Sequence, residues 1–226
     1  MKKFAVIGLG NFGMNIAKSL VENNCEVLGI DIDKNIVEKA KDFLTYGITG
    51  NPTDKAILNS LGINEYDAVI LSIGQEMVSS ILISLYLKEI GVKKIIARAI
   101  SEDHEKILKQ LGVDTVIFPE KDMAVRLGKA ISMKNAVDYL PLSEEYAIVE
   151  ITPPPSFIDK NIRELSIGAR FRCQILGIKN IADECATDDN PQNTIIAPNA
   201  DEIIHDGNIL IVLGKTTAIE RMQRLG

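Results

Sequence analysis

The first pattern that predicts chemistry is a glycine-rich turn. Gly8, Gly10 and Gly13 follow the apolar, strand-like run Phe4–Ile7 and open the helix-like segment Asn11–Glu22. This G-x-G-x-x-G pattern between a strand and a helix is typical of a dinucleotide-binding unit. The first glycine permits a tight turn, the second lets the backbone approach a phosphate, and the third lets helix and strand pack closely. The helix N-terminus then offers unpaired N–H groups to an anion.

A carboxylate follows at the place where a ribose is expected. The second strand-like run, Val27–Ile30, ends at Asp31, 18 residues after Gly13, and Asp33 comes one alternation later. A carboxylate at this position accepts hydrogen bonds from the hydroxyl groups of an adenosine ribose. In the alternative interpretation, the glycines serve packing alone and Asp31 caps a helix.

These groups need an α/β framework to position them. Strand-like and helix-like runs alternate as six βα units through the first half of the chain, which predicts a Rossmann-like, doubly wound parallel sheet. The predicted strands are Phe4–Ile7, Val27–Ile30, Phe43–Ile48, Ala68–Ile73, Lys94–Ala99 and Thr115–Phe118. The predicted helices are Asn11–Glu22, Lys34–Lys41, Asp54–Leu61, Met77–Ile90, Asp103–Leu111 and Lys121–Met133.

The alternation ends near Ala136, which predicts a nucleotide-binding domain over residues 1–136 and a small α+β domain over residues 137–226. A linker is expected at Asn135–Ser143. In the second domain we expect strands at Tyr146–Ile151, Cys173–Ile178 and Asn208–Leu213, a short helix at Asn161–Leu165 that Asp159 caps, a polar loop at Ile181–Gln192 and a helix at Thr217–Arg224.

Composition limits the function classes. The 226-residue chain has a net charge of −6, so it lacks the basic surplus of a nucleic-acid binder. Its three cysteines form no C-x-x-C pair, which argues against a zinc site or a disulfide framework and suits a reducing cytoplasm. No apolar run approaches the roughly 20 residues that cross a bilayer, and no signal peptide is expected. We therefore expect no direct membrane insertion.

Catalytic groupings are missing from the sequence. The two histidines, His104 and His205, stand apart from any recognisable nucleophile, and no metal-ligand cluster is visible. Ligand sensing is therefore favoured over hydride transfer. Two alternatives stay open: an NAD(P)-dependent oxidoreductase and, less favoured, a redox-responsive transcription regulator.

Taken together, the segments resemble a known family over almost the whole chain. The resembling segments are residues 4–13, 29–33, 49–54, 71–74, 97–99, 119–123, 175–178 and 205–214. The sequence is similar to Ktr/Trk-type regulatory subunits of potassium uptake systems, which combine an RCK N-terminal nucleotide-binding domain with an RCK C-terminal domain. The resemblance implies that the glycine-rich turn, including Asn11 and Phe12, meets the nucleotide phosphates.

The resemblance also implies the residues that meet the nucleoside. Asp31, with Ile32 and Asp33 beside it, is expected at the ribose. Asn51 and Pro52 are expected near the adenine. In the alternative interpretation, Asn51 is only a turn residue.

Further positions are implied at the ends of later strands. Ile73 and Gly74 are expected to line the pocket, and Arg98 to face the phosphates with its permanent charge. His104 is expected near the nucleotide, and Glu120 to face a divalent cation or Na⁺ that accompanies the phosphates. The alternatives are a solvated strand end for Arg98, a helix-start residue for His104 and a favourable helix-dipole contact for Glu120.

One position departs from the family pattern. Asn11 stands where many Ktr-type subunits have an arginine that reaches a terminal phosphate, and a neutral amide cannot supply that charge. Arg126 and Lys129 are candidates to compensate. The expected ligand is therefore an adenine nucleotide, first ATP or ADP, with NAD(H) as an alternative.

The implied function is the gating of a separate membrane protein. The resemblance implies a cytoplasmic subunit that pairs, assembles into an octameric ring and controls an integral-membrane potassium channel or transporter from the inner face of the membrane. The helix Met77–Ile90 is a candidate for assembly; in the alternative interpretation, it is simply packed in the core. Some family members bind cyclic di-AMP between two C-terminal domains, where Ile175, Ile178 and Pro198 are candidate lining residues.

Overall fold

A computed structural model describes residues 1–74, 76–180 and 194–224 of the chain, which forms two compact units divided between Glu120 and Lys121. The first unit is an alternation of strands and helices. Its elements are β1 (Lys3–Ile7), α1 (Asn11–Glu22), β2 (Glu26–Asp31), α2 (Lys34–Ala40), β3 (Tyr46–Thr49), α3 (Lys55–Ser60), β4 (Ala68–Leu71), α4 (Met77–Ile90), β5 (Ile95–Arg98), α5 (Glu102–Gln110), β6 (Thr115–Ile117) and the start of α6 (Pro119–Ser132).

The six strands of this unit form one sheet in the order β3-β2-β1-β4-β5-β6, and every neighbouring pair is parallel. Helices cover both faces, so alternate residues of β1 enter different cores: Ala5 and Ile7 pack in one, and Val6 in the other. The predicted doubly wound parallel sheet is confirmed. Its strand order reverses between β1 and β4, where folds of this type open a crevice at the carboxyl ends of the strands.

The second unit is built on an antiparallel sheet. Its elements are the rest of α6, β7 (Ala136–Pro141), β8 (Tyr146–Ile151), β9 (Lys160–Asn161), α7 (Ile162–Leu165), α8 (Ile167–Phe171), β10 (Gln174–Asn180), β11 (Thr194–Ile196), β12 (Ile203–Ile204), β13 (Asn208–Lys215) and α9 (Thr216–Gln223). Five strands pair in the order β11-β10-β13-β8-β7, and β12 pairs with β9. The predicted small α+β fold is confirmed, while the predicted loop at Ile181–Gln192 lies outside the described residues.

The predicted linker at Asn135–Ser143 is wrong. Most of that segment is β7, which pairs antiparallel with β8 and places Tyr139 opposite Val149. Tyr139 is 5% exposed, whereas its neighbour Leu140 is 45% exposed. The strand covers the core with one face only, and the side chains of Val137 and Leu140 stay exposed.

Helix α6 also packs differently from the sequence interpretation. Ala130 and Met133 belong to the core of the second unit, and Arg126 is paired with Asp138 of β7. The packed unit therefore begins at Lys121, although the division into functional domains at residues 136 and 137 stays a prediction.

The predicted cap of the short helix is wrong. Asn161, and not Asp159, caps α7, because the Asn161 side chain accepts a hydrogen bond of 2.8 Å from the Glu164 N–H group. In the described part of the chain, every helix is too short or too polar to cross a membrane.

Two leucines on α4 test the packing. Leu87 is fully buried, whereas Leu85, two residues earlier, is 39% exposed. We expect Leu87→Ala to lower the free energy of unfolding by about 2–5 kcal/mol, because it leaves a cavity in the core. The matched Leu85→Ala should cost less than about 1 kcal/mol. Urea unfolding followed by circular dichroism measures both, and equal losses would contradict the burial.

Candidate functional site

A cavity of about 830 Å³ opens in the first unit where the strand order reverses. Its walls come from the glycine-rich turn, the carboxyl ends of strands and the starts of helices. Twelve of the fifteen predicted site residues line it: Gly8, Gly10, Asn11, Phe12, Asp31, Ile32, Asn51, Pro52, Ile73, Gly74, Arg98 and Glu120. Gly13, Asp33 and His104 lie outside this lining.

The three glycines of the turn have different structural roles. Gly8 has φ +87° and donates its N–H to the Ile30 carbonyl at 2.8 Å, which ties the turn to β2. A Cβ on Gly13 would lie 1.9 Å from the Gly8 carbonyl oxygen, so only glycine permits this approach of helix to turn. A Cβ on Gly10 would meet nothing within 4 Å, because this residue faces the open cavity.

The N-terminus of α1 is directed at the cavity. Gly10 is the N-cap residue and supplies no side-chain cap, and the first turn of α1 has no acidic residue. The first intrahelical hydrogen bond runs from the Met14 N–H to the Gly10 carbonyl at 2.8 Å. The preceding amides of the helix therefore lack helical partners, and their partial positive charge suits an anion.

Asp31 joins β2 to the turn. One carboxylate oxygen accepts a hydrogen bond of 2.7 Å from the Leu9 N–H, and the other accepts one of 2.9 Å from the Asp33 N–H. Asp33 instead caps α2 by accepting a hydrogen bond from the Asn35 N–H. The capping role left open for Asp31 thus belongs to Asp33.

Asn51 makes the turn that was its alternative interpretation and also lines the cavity. Its side-chain oxygen accepts hydrogen bonds from the N–H and hydroxyl groups of Thr53, at 3.1 and 2.8 Å. The amide is thereby held beside Pro52 on the cavity wall, which Ile32 also lines.

Three neighbouring residues surround the charged side chain of Arg98 in the cavity. Its guanidinium is paired with the Glu120 carboxylate, and its carbon Cζ lies 5.5 Å from the centre of the Phe12 ring. Gly74 leaves room for it, since a Cβ there would lie 2.7 Å from Nη1 of Arg98. The Nε atom is buried and has no hydrogen-bond partner among the described residues.

His104 is fully buried in α5. Its Nδ1 atom accepts a hydrogen bond of 3.3 Å from the Ile100 N–H, and Nε2 is buried without a partner among the described residues. Burial lowers the pKa of this imidazole below its ordinary value of 6.5. The side chain therefore favours the neutral form.

Six lining residues were missed by the sequence analysis: Asn15, Ile36, Thr53, Ser72, Glu76 and Ser79. Ser72 directly follows β4 at the strand-order reversal, a position that sheet topology marks once it is known. Its hydroxyl is buried without a partner among the described residues. Asn15 follows Asn11 by one helical turn and donates to its carbonyl at 2.9 Å.

The remaining predicted ligand contacts concern a metal ion and residues of the second unit. Within the described residues, no group of three or more His, Cys, Asp or Glu side chains is arranged to hold a metal ion. Arg126 is paired with Asp138, as stated above, and both belong to the second unit. Ile175 and Ile178, the candidate lining residues of a cleft between two C-terminal domains, are buried in the core of that unit, and their role in such a cleft stays a prediction.

Comparisons with known proteins cover both units. The chain matches the TrkA-N domain over residues 4–119 and the TrkA-C domain over residues 146–225. It is 39% identical to Ktr system potassium uptake protein C of Bacillus subtilis strain 168, over 99% of this chain and 96% of that protein. It is 36% identical to Ktr system potassium uptake protein A of the same organism, over 100% and 97%. The corresponding protein A of Vibrio alginolyticus is 31% identical, over 94% and 92%.

Solved structures share the fold at low identity. The GsuK channel superposes with a TM-score of 0.70 at 15% identity, over 99% of this chain and 39% of that chain. The GsuK channel bound to NAD gives a TM-score of 0.68 at 16% identity, with the same coverage. This chain therefore spans about two fifths of those channel chains.

Two glycines of the turn should respond differently to alanine. We expect Gly13→Ala to lower the melting temperature markedly, by roughly 4 °C or more, because the new methyl group collides with the turn. Gly10→Ala should melt like the wild type, because its methyl group enters open space. Differential scanning calorimetry compares them, and equal melting temperatures would contradict the close approach of α1.

The buried imidazole should make stability depend on pH. Because the unfolded chain protonates His104 at a higher pH than the folded chain, stability is complete above about pH 6.5 and falls as the pH decreases below it. We expect His104→Asn to reduce this loss between about pH 7.5 and 5.5, as measured by urea unfolding. His205→Asn, whose parent side chain is 64% exposed, is the control. An unchanged pH dependence in His104→Asn would refute the effect.

Proposed function

The chain belongs to the family of Ktr and Trk potassium uptake proteins that carry TrkA-N and TrkA-C domains, and from this we propose that it is a regulatory subunit that binds an adenine nucleotide in the cavity of its first unit. Binding of the nucleotide controls potassium flux through a separate integral-membrane channel or transporter. The protein acts at the inner face of the cell membrane through that partner.

The observation that carries the proposal is the convergence of complementary groups on one cavity. The open backbone at Gly10 and the N-terminus of α1 offer donors to phosphates, Arg98 offers a positive charge, and Asp31 offers acceptors for ribose hydroxyls. The cavity volume lies within the range of small-molecule sites.

The unpartnered groups of the cavity suit such a ligand. Buried polar atoms normally have hydrogen-bond partners, yet Nε of Arg98 and the hydroxyl of Ser72 have none among the described residues. Both residues line the cavity. Neither atom has exposed surface, so each gains a ligand partner only if its side chain turns towards the cavity when the ligand binds.

The charges of the lining residues favour some nucleotides over others. Among the described lining residues, Arg98 is the one cation, whereas Asp31, Glu76 and Glu120 are acidic. Asn11 adds no charge at the start of α1. A nucleotide with two phosphates, ADP or NAD(H), therefore suits the cavity better than the more highly charged ATP. The GsuK channel of the same fold is known in an NAD-bound form.

A cation that accompanies the phosphates stays a prediction for this cavity, because one or two carboxylates suffice when phosphates supply the other oxygen ligands. Glu120 is paired with Arg98, and the described residues contain no cluster of three acidic, His or Cys ligands. Cyclic di-AMP binding by the second unit stays a prediction. Two of its three candidate lining residues, Ile175 and Ile178, are buried in the core of that unit.

Binding, and not hydride transfer, is the role that the lining supports. No His, Cys, Lys or Tyr side chain lines the cavity in the described part of the chain. The nucleotide instead acts as an effector, and it shifts the equilibrium between two shapes of a dimer-based, octameric ring by its different affinity for each.

The test combines binding with transport. Nucleotide-stripped protein is titrated with ADP, NAD, NADH and ATP by calorimetry, with light scattering on the same samples. We expect an oligomer that binds ADP or NAD(H), and Gly10→Ala should weaken that binding about tenfold or more, since its methyl group occupies the phosphate approach.

The second arm uses cells that lack their own potassium uptake regulators and express a Ktr-type membrane subunit. We expect wild-type protein to restore growth at low potassium and Gly10→Ala to restore it poorly. A monomer that binds none of the four nucleotides would refute the proposal. Equal restoration of growth by the wild type and by Gly10→Ala would also refute it.

A further inference from the structure

Arg98, the one cation among the described lining residues of the cavity, already has an anionic partner from the same chain. The guanidinium of Arg98 is paired with the Glu120 carboxylate. The two side chains differ in environment: that of Arg98 is 20% exposed, and that of Glu120 is 56% exposed. The arginine is thus fixed in the cavity wall, and the glutamate is the member of the pair that can move into solvent.

A bound phosphate would reach the same guanidinium. Arg98 lies over the ring of Phe12, the second residue of α1, so its charge stands beside the helix N-terminus that faces the cavity. Anions bind at that helix end because its amides lack partners. A phosphate on those amides and the Glu120 carboxylate therefore compete for one arginine.

The alternative role of Glu120 is a structural one. An acidic residue in the first turn of a helix is stabilised by the helix dipole, and Glu120 is the second residue of α6. That role requires only a negative charge near the helix start, which Asp122 also provides from an exposed position. The pairing with Arg98 is particular to Glu120.

We propose that Glu120 is an internal competitor of the nucleotide phosphates, which occupies Arg98 in the empty cavity and sets the affinity for phosphorylated ligands. The proposal rests on nucleotide binding in this cavity. The ligand gains Arg98 only after the carboxylate has moved away, so part of the binding free energy is used to break the pair. Glu120 thereby lowers the affinity by holding the arginine that the phosphates use.

The test is a set of calorimetric titrations with ADP and with adenosine, which lacks phosphates. We expect Glu120→Gln to bind ADP about three- to fivefold more tightly, the scale of a partly exposed ion pair, and adenosine unchanged. Glu120→Asp, which keeps the charge and shortens the reach, should also tighten ADP binding. Asp122→Asn is the matched control and should stay within about twofold of wild type.

A double-variant cycle isolates the pair. Arg98→Gln should weaken ADP binding, and adding Glu120→Gln to it should give no gain, because the competition requires the guanidinium. Melting temperatures of all variants confirm that they fold.

The outcomes separate the two proposals. If wild type binds ADP and Glu120→Gln binds it equally or more weakly, the competition is refuted and nucleotide binding stands. An equal gain in Asp122→Asn, or a gain that persists without Arg98, also refutes it. If wild type binds neither ADP nor adenosine, nucleotide binding fails and the competition fails with it.

Discussion

The architecture of the cavity depends on one steric constraint, the approach of α1 to the glycine-rich turn at Gly13. No side chain fits between Gly13 and the Gly8 carbonyl, so the helix begins directly on the turn. Because of this placement, the unpaired amides of α1 face the cavity and the ring of Phe12 meets Arg98. A methyl group at residue 13 would displace the helix, and the unpaired amides and the Phe12 ring would move with it.

The parallel sheet turns this local constraint into a site. Strands β1, β2, β4 and β5 all end at the same edge, which brings the turn, Asp31, Ser72 and Arg98 around one space although they are far apart in the chain. The second unit has a different architecture. Its antiparallel sheet buries alternate residues on one face, and the same core takes Ala130 from α6 and Met133 from the residue that follows the helix.

The sequence predicted what local periodicity and turn chemistry determine. Glycine spacing and apolar strands identified the parallel sheet and most of the cavity lining, because these signals lie within a few residues of each other. Burial was not predictable in the same way. His104 lies among charged neighbours in the sequence yet is fully buried, and Ile175 points into a core that only the assembled sheet defines. Strand β7 escaped notice because its second face stays in solvent, and Ser72 because its meaning comes from strand order.

The hydrogen bonds of Asp31 have a consequence for the entropy of recognition. Each carboxylate oxygen is already held by a backbone amide, from Leu9 on one side and Asp33 on the other. The side chain is therefore immobilised before any ligand arrives, and its remaining lone pairs have fixed directions. A ribose that meets these oxygens does not have to freeze a rotating carboxylate, which usually opposes binding by about 0.5–1.5 kcal/mol per ordered side chain. Folding of the turn has met that conformational cost in advance, so a sugar bound here would be selected by the geometry of its hydroxyl groups.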